Sequence, residues 1–149
     1  MEITIKPHHF MDIIKLYGSG IEHFIPDEKM HHDFYKVANE IINDPNTSLN
    51  LTIHGDDICK PCIKYHHECI DPLNHIPGFN TKNEYNQTLD QRIIELYDLK
   101  DKQYSAIELC TLFYNHKDYI YKVWTEEDDS ITEKRYKLFS LGAKKFLNK

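Results

Sequence analysis

The sequence predicts a helix-rich α+β domain on three observations. Five stretches repeat apolar residues at helical spacing, two short stretches towards the N-terminus alternate apolar and polar residues, and Pro and Gly punctuate the joins between them. The expected architecture is about five helices with a short two-stranded sheet at the N-terminal side. At 149 residues the chain has the length of one ordinary domain able to bury a core, so 1–149 is read as a single domain. Hydrophobic residues at 40% and aromatics at 12% set it apart from compositions that stay disordered.

Ile3 to Ile5 alternate and are β-branched, which predicts the first strand. Pro7 suits the first turn of a helix, where its missing N–H costs nothing, and Phe10, Ile13, Ile14 and Tyr17 carry the helical stripe up to Gly18, a left-handed stop. His8 and His9 therefore sit at a helix start. Beyond Gly20 and Pro26, a second helix follows Met30, Phe34, Val37, Ala38, Ile41 and Ile42, with Asp27 and Glu28 against its N-terminal dipole and Pro45 as its end. His31 and His32 fall beside that stripe and read as solvated surface. Leu49, Leu51 and Ile53 alternate in a second strand that can pair with the first.

Pro72, Pro77 and Gly78 mark residues 71–83 as an irregular connection. Leu89, Ile93 and Leu96, with Ile94 and Tyr97, predict a third helix. Ser105-x-x-Glu108 is a capping box that opens a fourth, running through Leu109, Leu112, Phe113, Ile120, Val123 and Trp124. Ser130-x-x-Glu133 repeats the device ahead of Phe139, Ala143 and Phe146 in the last helix, and the acidic run 126–129 reads as its solvated lead-in.

A formal net charge of −6 without a block of basic residues disfavours nucleic acid as a partner. No apolar run approaches the roughly 20 residues that span a bilayer, and the first residues show no long apolar core or small-residue cleavage site, so no membrane is expected and the predicted location is cytoplasmic. In that reducing compartment, cysteines are free, metal-bound or catalytic before they are disulfides.

The densest chemistry lies in a Cys-rich loop at 56–69, Asp-Asp-Ile-Cys-Lys-Pro-Cys-Ile-Lys-Tyr-His-His-Glu-Cys, which holds three of the chain's four cysteines. Cys59-x2-Cys62 is short enough for both thiolates to reach one ion, and Cys69 adds a third soft donor. Structural zinc takes four ligands, so a fourth is needed. His66 and His67 demand a cramped loop. Asp56 and Asp57 are hard donors better suited to capping or to hydrogen-bonding a ligand, and Cys110 lies among apolar residues as an inert buried thiol. His8 and His9 remain, brought near the loop if the two strands pair.

Lys6-Pro7-His8-His9-Phe10, followed by Asp57-Ile58-Cys59-Lys60-Pro61-Cys62 and then Cys69, resembles the domain-of-unknown-function 1284 family of small prokaryotic proteins. The resemblance implies a metal or iron–sulfur role and no established reaction. Asp12 stands where the family signature often has cysteine, and the family's cysteine-rich C-terminal segment is reduced to Cys110. An iron–sulfur cluster prefers four thiolates, so these departures favour zinc with mixed sulfur and nitrogen ligands. Asp12, one turn from His8, is expected to accept an imidazole N–H.

The reading that follows is a metal-binding protein with zinc held by Cys59, Cys62, Cys69 and one of His8 or His9, fastening the loop to the first helix. Its helical surface would then serve an unidentified protein partner. One alternative is a redox protein using an iron–sulfur cluster or a Cys59/Cys62 dithiol. Another is a zinc-dependent hydrolase, for which no H-E-x-x-H or comparable signature is present.

Overall fold

The computed structural model describes residues 2–26, 33–58, 65–66, 68–69 and 81–149, with the backbone alone at 65–66, 68–69 and 82–83. Among these the chain runs β1 (Glu2–Ile5), α1 (Pro7–Gly18), α2 (Phe34–Asn43), β2 (Ser48–Leu51), β3 (Tyr65–His66), β4 (Glu68–Cys69), α3 (Lys82–Leu96), β5 (Tyr104–Ser105), α4 (Ala106–Asn115), a 3₁₀ turn (Lys117–Tyr119), α5 (Ile120–Val123) and α6 (Asp129–Leu147). This is a helix-rich α+β fold.

The expected strand pair forms. β1 and β2 run parallel with Ile3 opposite Leu49 and Ile5 opposite Leu51, joined by a crossover through α1 and α2 because parallel neighbours cannot be linked by a tight turn. The buried face of this pair is Ile3, Ile5 and Leu49. The sheet has three strands where two are expected, since β5 pairs antiparallel on the far side of β2, Leu49 opposite Tyr104. Two residues carry too little alternation to be read from sequence. A separate hairpin joins β3 to β4 with Tyr65 opposite Cys69.

The core lies between α1 and α6, which pack together more extensively than any other helix pair, and α3 and α4 close around them. Phe10 and Phe113 meet with ring centroids 5.9 Å apart, and Tyr97 stands edge-on to Phe113 at 4.8 Å. Phe139, Ala143 and Phe146 bury the face of α6 as their spacing predicts.

Several expectations are corrected. The single helix through Trp124 is instead α4, a 3₁₀ turn and α5. The Ser105–Glu108 capping box is made in both directions, with Ser105 Oγ accepting from Glu108 N at 3.1 Å. The second box is not. α6 starts after Asp128, and Ser130 Oγ donates to that aspartate's carboxylate at 3.1 Å. Gly18 is helical, and the left-handed glycine is Gly20, at φ 107°.

Nor is the acidic run a free lead-in. Arg92 grips Glu126 with two bonds of 2.6 and 2.7 Å, and Arg135 holds Glu127 at 2.7 Å while lying over Trp124. The expected start of the second helix at Asp27, Glu28 and Met30, the pair His31 and His32, and residues 71–80 of the irregular connection lie outside the described residues. No helix among those described is long and apolar enough to cross a membrane.

Candidate metal centre

The start of α1 lacks the usual Ser, Thr, Asp or Asn ahead of it. Lys6 occupies the N-cap with no side-chain cap, and Pro7 fills the first helical position. The exposed N–H groups of a helix start need acceptors, and here two carboxylates from distant elements supply them. Asp56 Oδ2 accepts from Lys6 N at 2.9 Å, and Asp90 Oδ1, from α3, accepts from His8 N at 2.8 Å. Both anions also lie at the positive end of the α1 dipole.

The same two carboxylates hold the two imidazoles. His8 Nδ1 lies 2.8 Å from Asp90 Oδ1, and His9 Nδ1 lies 2.7 Å from Asp56 Oδ2. An ionised carboxylate can only accept, so each Nδ1 carries the proton, and a ring in its neutral form keeps its lone pair on Nε2. That is the arrangement in which ligand histidines are held. The ring centroids stand 4.3 Å apart.

Burial makes this cluster expensive in isolation and specific in combination. Asp56 and Asp90 are 0% exposed, Lys6 1% and His8 5%. For Asp56, burial favours the neutral acid. The charge of His9, its hydrogen bond, and the Lys6 N–H and ammonium outweigh that and hold the carboxyl well below the usual range. For His8, burial opposes the imidazolium, and the charge and hydrogen bond of Asp90, helped by Asp12, more than offset it, so the ring titrates above its ordinary value. Asp90 Oδ2 is buried without a hydrogen-bond partner among the described residues.

The approach to the cysteine loop is tied to the same place. Asp57 exchanges two bonds with Thr4, its Oδ2 accepting from Thr4 N at 2.9 Å and its N donating to Thr4 O at 3.0 Å. Ile58, which directly precedes Cys59, is 3% exposed, and its carbonyl accepts from Asp33 N at 3.0 Å. At the other end of the loop, β4, which contains Cys69, lies against α3, the helix that carries Asp90.

Of the sequence-predicted donors, His8 and His9 are thus together, and Cys69 lies on β4. Cys59 and Cys62 lie outside the described residues, as does His67. Among the described residues no group of three or more His, Cys, Asp or Glu is arranged to hold a metal ion. Imidazole Nε2 atoms with fixed tautomers beside a buried carboxylate suit zinc, whose ordinary donors are imidazole nitrogen and thiolate.

Asp12 does not take the role expected of it. Arg135, from α6, donates to Asp12 Oδ1 at 2.7 Å, and a planar guanidinium with two carboxylate neighbours outcompetes a histidine one turn away. Asp56 does hydrogen-bond a histidine, one of the two roles expected for it. Asp90 is missed by sequence reasoning, although its position gives a signal: it falls on the buried stripe of α3 with Tyr85, Leu89 and Ile93, and a lone acid on an apolar face needs a partner. Lys6 is missed too, since a lysine at a strand end ordinarily stands in solvent.

Comparison with protein-family models, with curated proteins and with solved structures finds no match to this chain.

Proposed function

We propose that this chain is a metal-binding protein in which zinc is held by Cys59, Cys62, Cys69 and an imidazole of His8 or His9, fastening the loop to the start of α1. One observation carries the reading: two adjacent histidines have their Nδ1 atoms bound to buried carboxylates, and one of those carboxylates, Asp56, lies three residues before Cys59. Hydrogen bonds of this kind orient ligand histidines and raise their basicity. An ordinary helix start needs only the backbone bonds to Asp56 and Asp90, and the side-chain bonds go beyond that.

A closed site of this kind contributes folding free energy and does no chemistry, so its biological output would be the docking of a protein partner by the helical surface. The resemblance of Lys6–Phe10 and Asp57–Cys62 to the domain-of-unknown-function 1284 family supports the same reading. Since the thiols must stay reduced, the cytoplasm belongs to the proposal as well.

Native mass spectrometry with elemental analysis, on protein purified anaerobically from metal-supplemented medium, tests it. The expected result is one zinc per chain and a colourless protein, with the zinc lost in Cys69→Ser. A bare-polypeptide mass sinks the reading, and iron with visible absorbance replaces it by the cluster.

A further inference from the structure

We infer that His8 and His9 both ligate the same divalent ion through Nε2, a step that rests on the metal reading above and extends it from one imidazole to two. Each ring has its own buried carboxylate on Nδ1, Asp90 at 2.8 Å and Asp56 at 2.7 Å, so both tautomers are fixed and not one. No hydrogen bond among the described residues reaches either Nε2.

Geometry allows the pair to share an ion. Two nitrogens bonded at about 2.0–2.1 Å to a tetrahedral zinc stand roughly 3.3 Å apart, and rings with centroids 4.3 Å apart and planes inclined at 46° can present that spacing. Charge points the same way. Asp56 and Asp90, both 0% exposed, set a buried carboxylate behind each ring, which favours a cation on the far side of the imidazoles. The buried Asp90 Oδ2 has no hydrogen-bond partner among the described residues. A dication on the Nε2 side offsets the carboxylate charge across the rings, the arrangement of a carboxylate–histidine–metal triad. Two imidazoles fill half of a tetrahedral shell, so two of the three loop thiolates complete it and the third is displaced from the set proposed above.

The experiment uses the full chain and Zn2+ as the probe, in competition with a fluorescent chelator under reducing, anaerobic conditions. His8→Ala and His9→Ala risk disturbing the helix start. His8→Asn and His9→Asn avoid this, because the asparagine amide N–H stands where Nδ1–H stood and can still meet the carboxylate, while the Nε2 donor is gone. Each Asn variant is expected to lower zinc affinity at least about 10-fold, the lower bound for losing even an outer partner of a ligand. In the wild type, long-range 1H–15N spectra should show both Nε2 resonances moving on zinc addition. If one Asn variant keeps wild-type affinity, or only one Nε2 resonance moves, the inference is overturned and the single-imidazole site stands. Wild-type protein that takes up no zinc overturns the metal reading, and this inference with it.

Discussion

Cys110 is chemically unlike the cysteines of the loop. It sits on α4 at 0% exposure, and burial pushes its thiol up to about 12. A thiolate is the form that binds metal or reacts, so this residue is a small apolar side chain in the core, as its sequence neighbours suggest. The folded state keeps the thiol protonated to higher pH than the unfolded chain, for which the ordinary value is 9.0. Between those values the native protein binds the extra proton, so stability is intact below about 9 and declines as pH rises towards 12. Cys110→Ala should be less stable than wild type at pH 8 by about 1 kcal/mol, for the small cavity it leaves. At pH 10 that advantage should be gone, since one unit above the ordinary value costs about 1.4 kcal/mol. Urea titrations of both proteins at the two pH values check this; an unchanged difference shows that the thiol ionises freely in the fold. The site residues divide in the same way by how local their signals are. Asp56 was legible because it precedes a cysteine motif. Asp90 acts on His8 from 82 positions away, and only packing brings them together.

At the level of elements, the glycines show how one residue type can carry two messages. Gly18 ends the apolar stripe of α1 and reads as a left-handed stop, yet it is helical and there for close approach. A Cβ on Gly18 would stand 2.6 Å from Gly142 N, and one on Gly142 would run into Ile14 O and stand 2.8 Å from Gly18 N. The backbones of α1 and α6 touch at this crossing, which holds the histidine-bearing helix from the end opposite the site. Gly142→Ala discriminates by sign. Helix propensity alone would stabilise α6 by about 1 kcal/mol, whereas forcing a methyl between two backbones costs about 3 kcal/mol or more. We expect net destabilisation, with a thermal midpoint lower by roughly 4–8 °C or more; a rise in midpoint shows that the helices do not meet there. Helical periodicity marked α1, α3 and α6 because each buries one long face. The short β5 and the break between α4 and α5 escaped it, since two to four residues are too few for a period to register. Ser130 shows the limit of a local signature. The box motif was present, and Asp128, two residues earlier, started the helix instead.

For the molecule as a whole, the question is what the proposed metal would hold together. Zinc fingers unfold without their ion because they have almost no core, and a chain of 149 residues is in another regime, able to bury roughly 68–70% of the surface its unfolded chain exposes. Among the described residues the core runs continuously through β1, α1, α2, β2, α3, α4 and α6, and it includes Ile3, Phe10, Ile41, Leu49, Ile93, Phe113 and Phe146. The cluster at the α1 start is different, because its buried carboxylates, Asp90 and Asp56, are bonded to the Nδ1 atoms of His8 and His9, the rings proposed to carry the ion. Removing metal should therefore act locally. After treatment with a strong chelator, the far-UV circular dichroism should stay unchanged. Hydrogen exchange should rise for the amides of Thr4, Lys6 and His8, which bond the carboxylates of Asp57, Asp56 and Asp90, and for Asp57, which bonds Thr4 O. Amides in the middle of α6, beyond the Gly18–Gly142 crossing, should exchange as before. Loss of most helical signal on chelation overturns this picture, and would mean that the ion, and not the apolar contact of α1 with α6, is what the fold depends on.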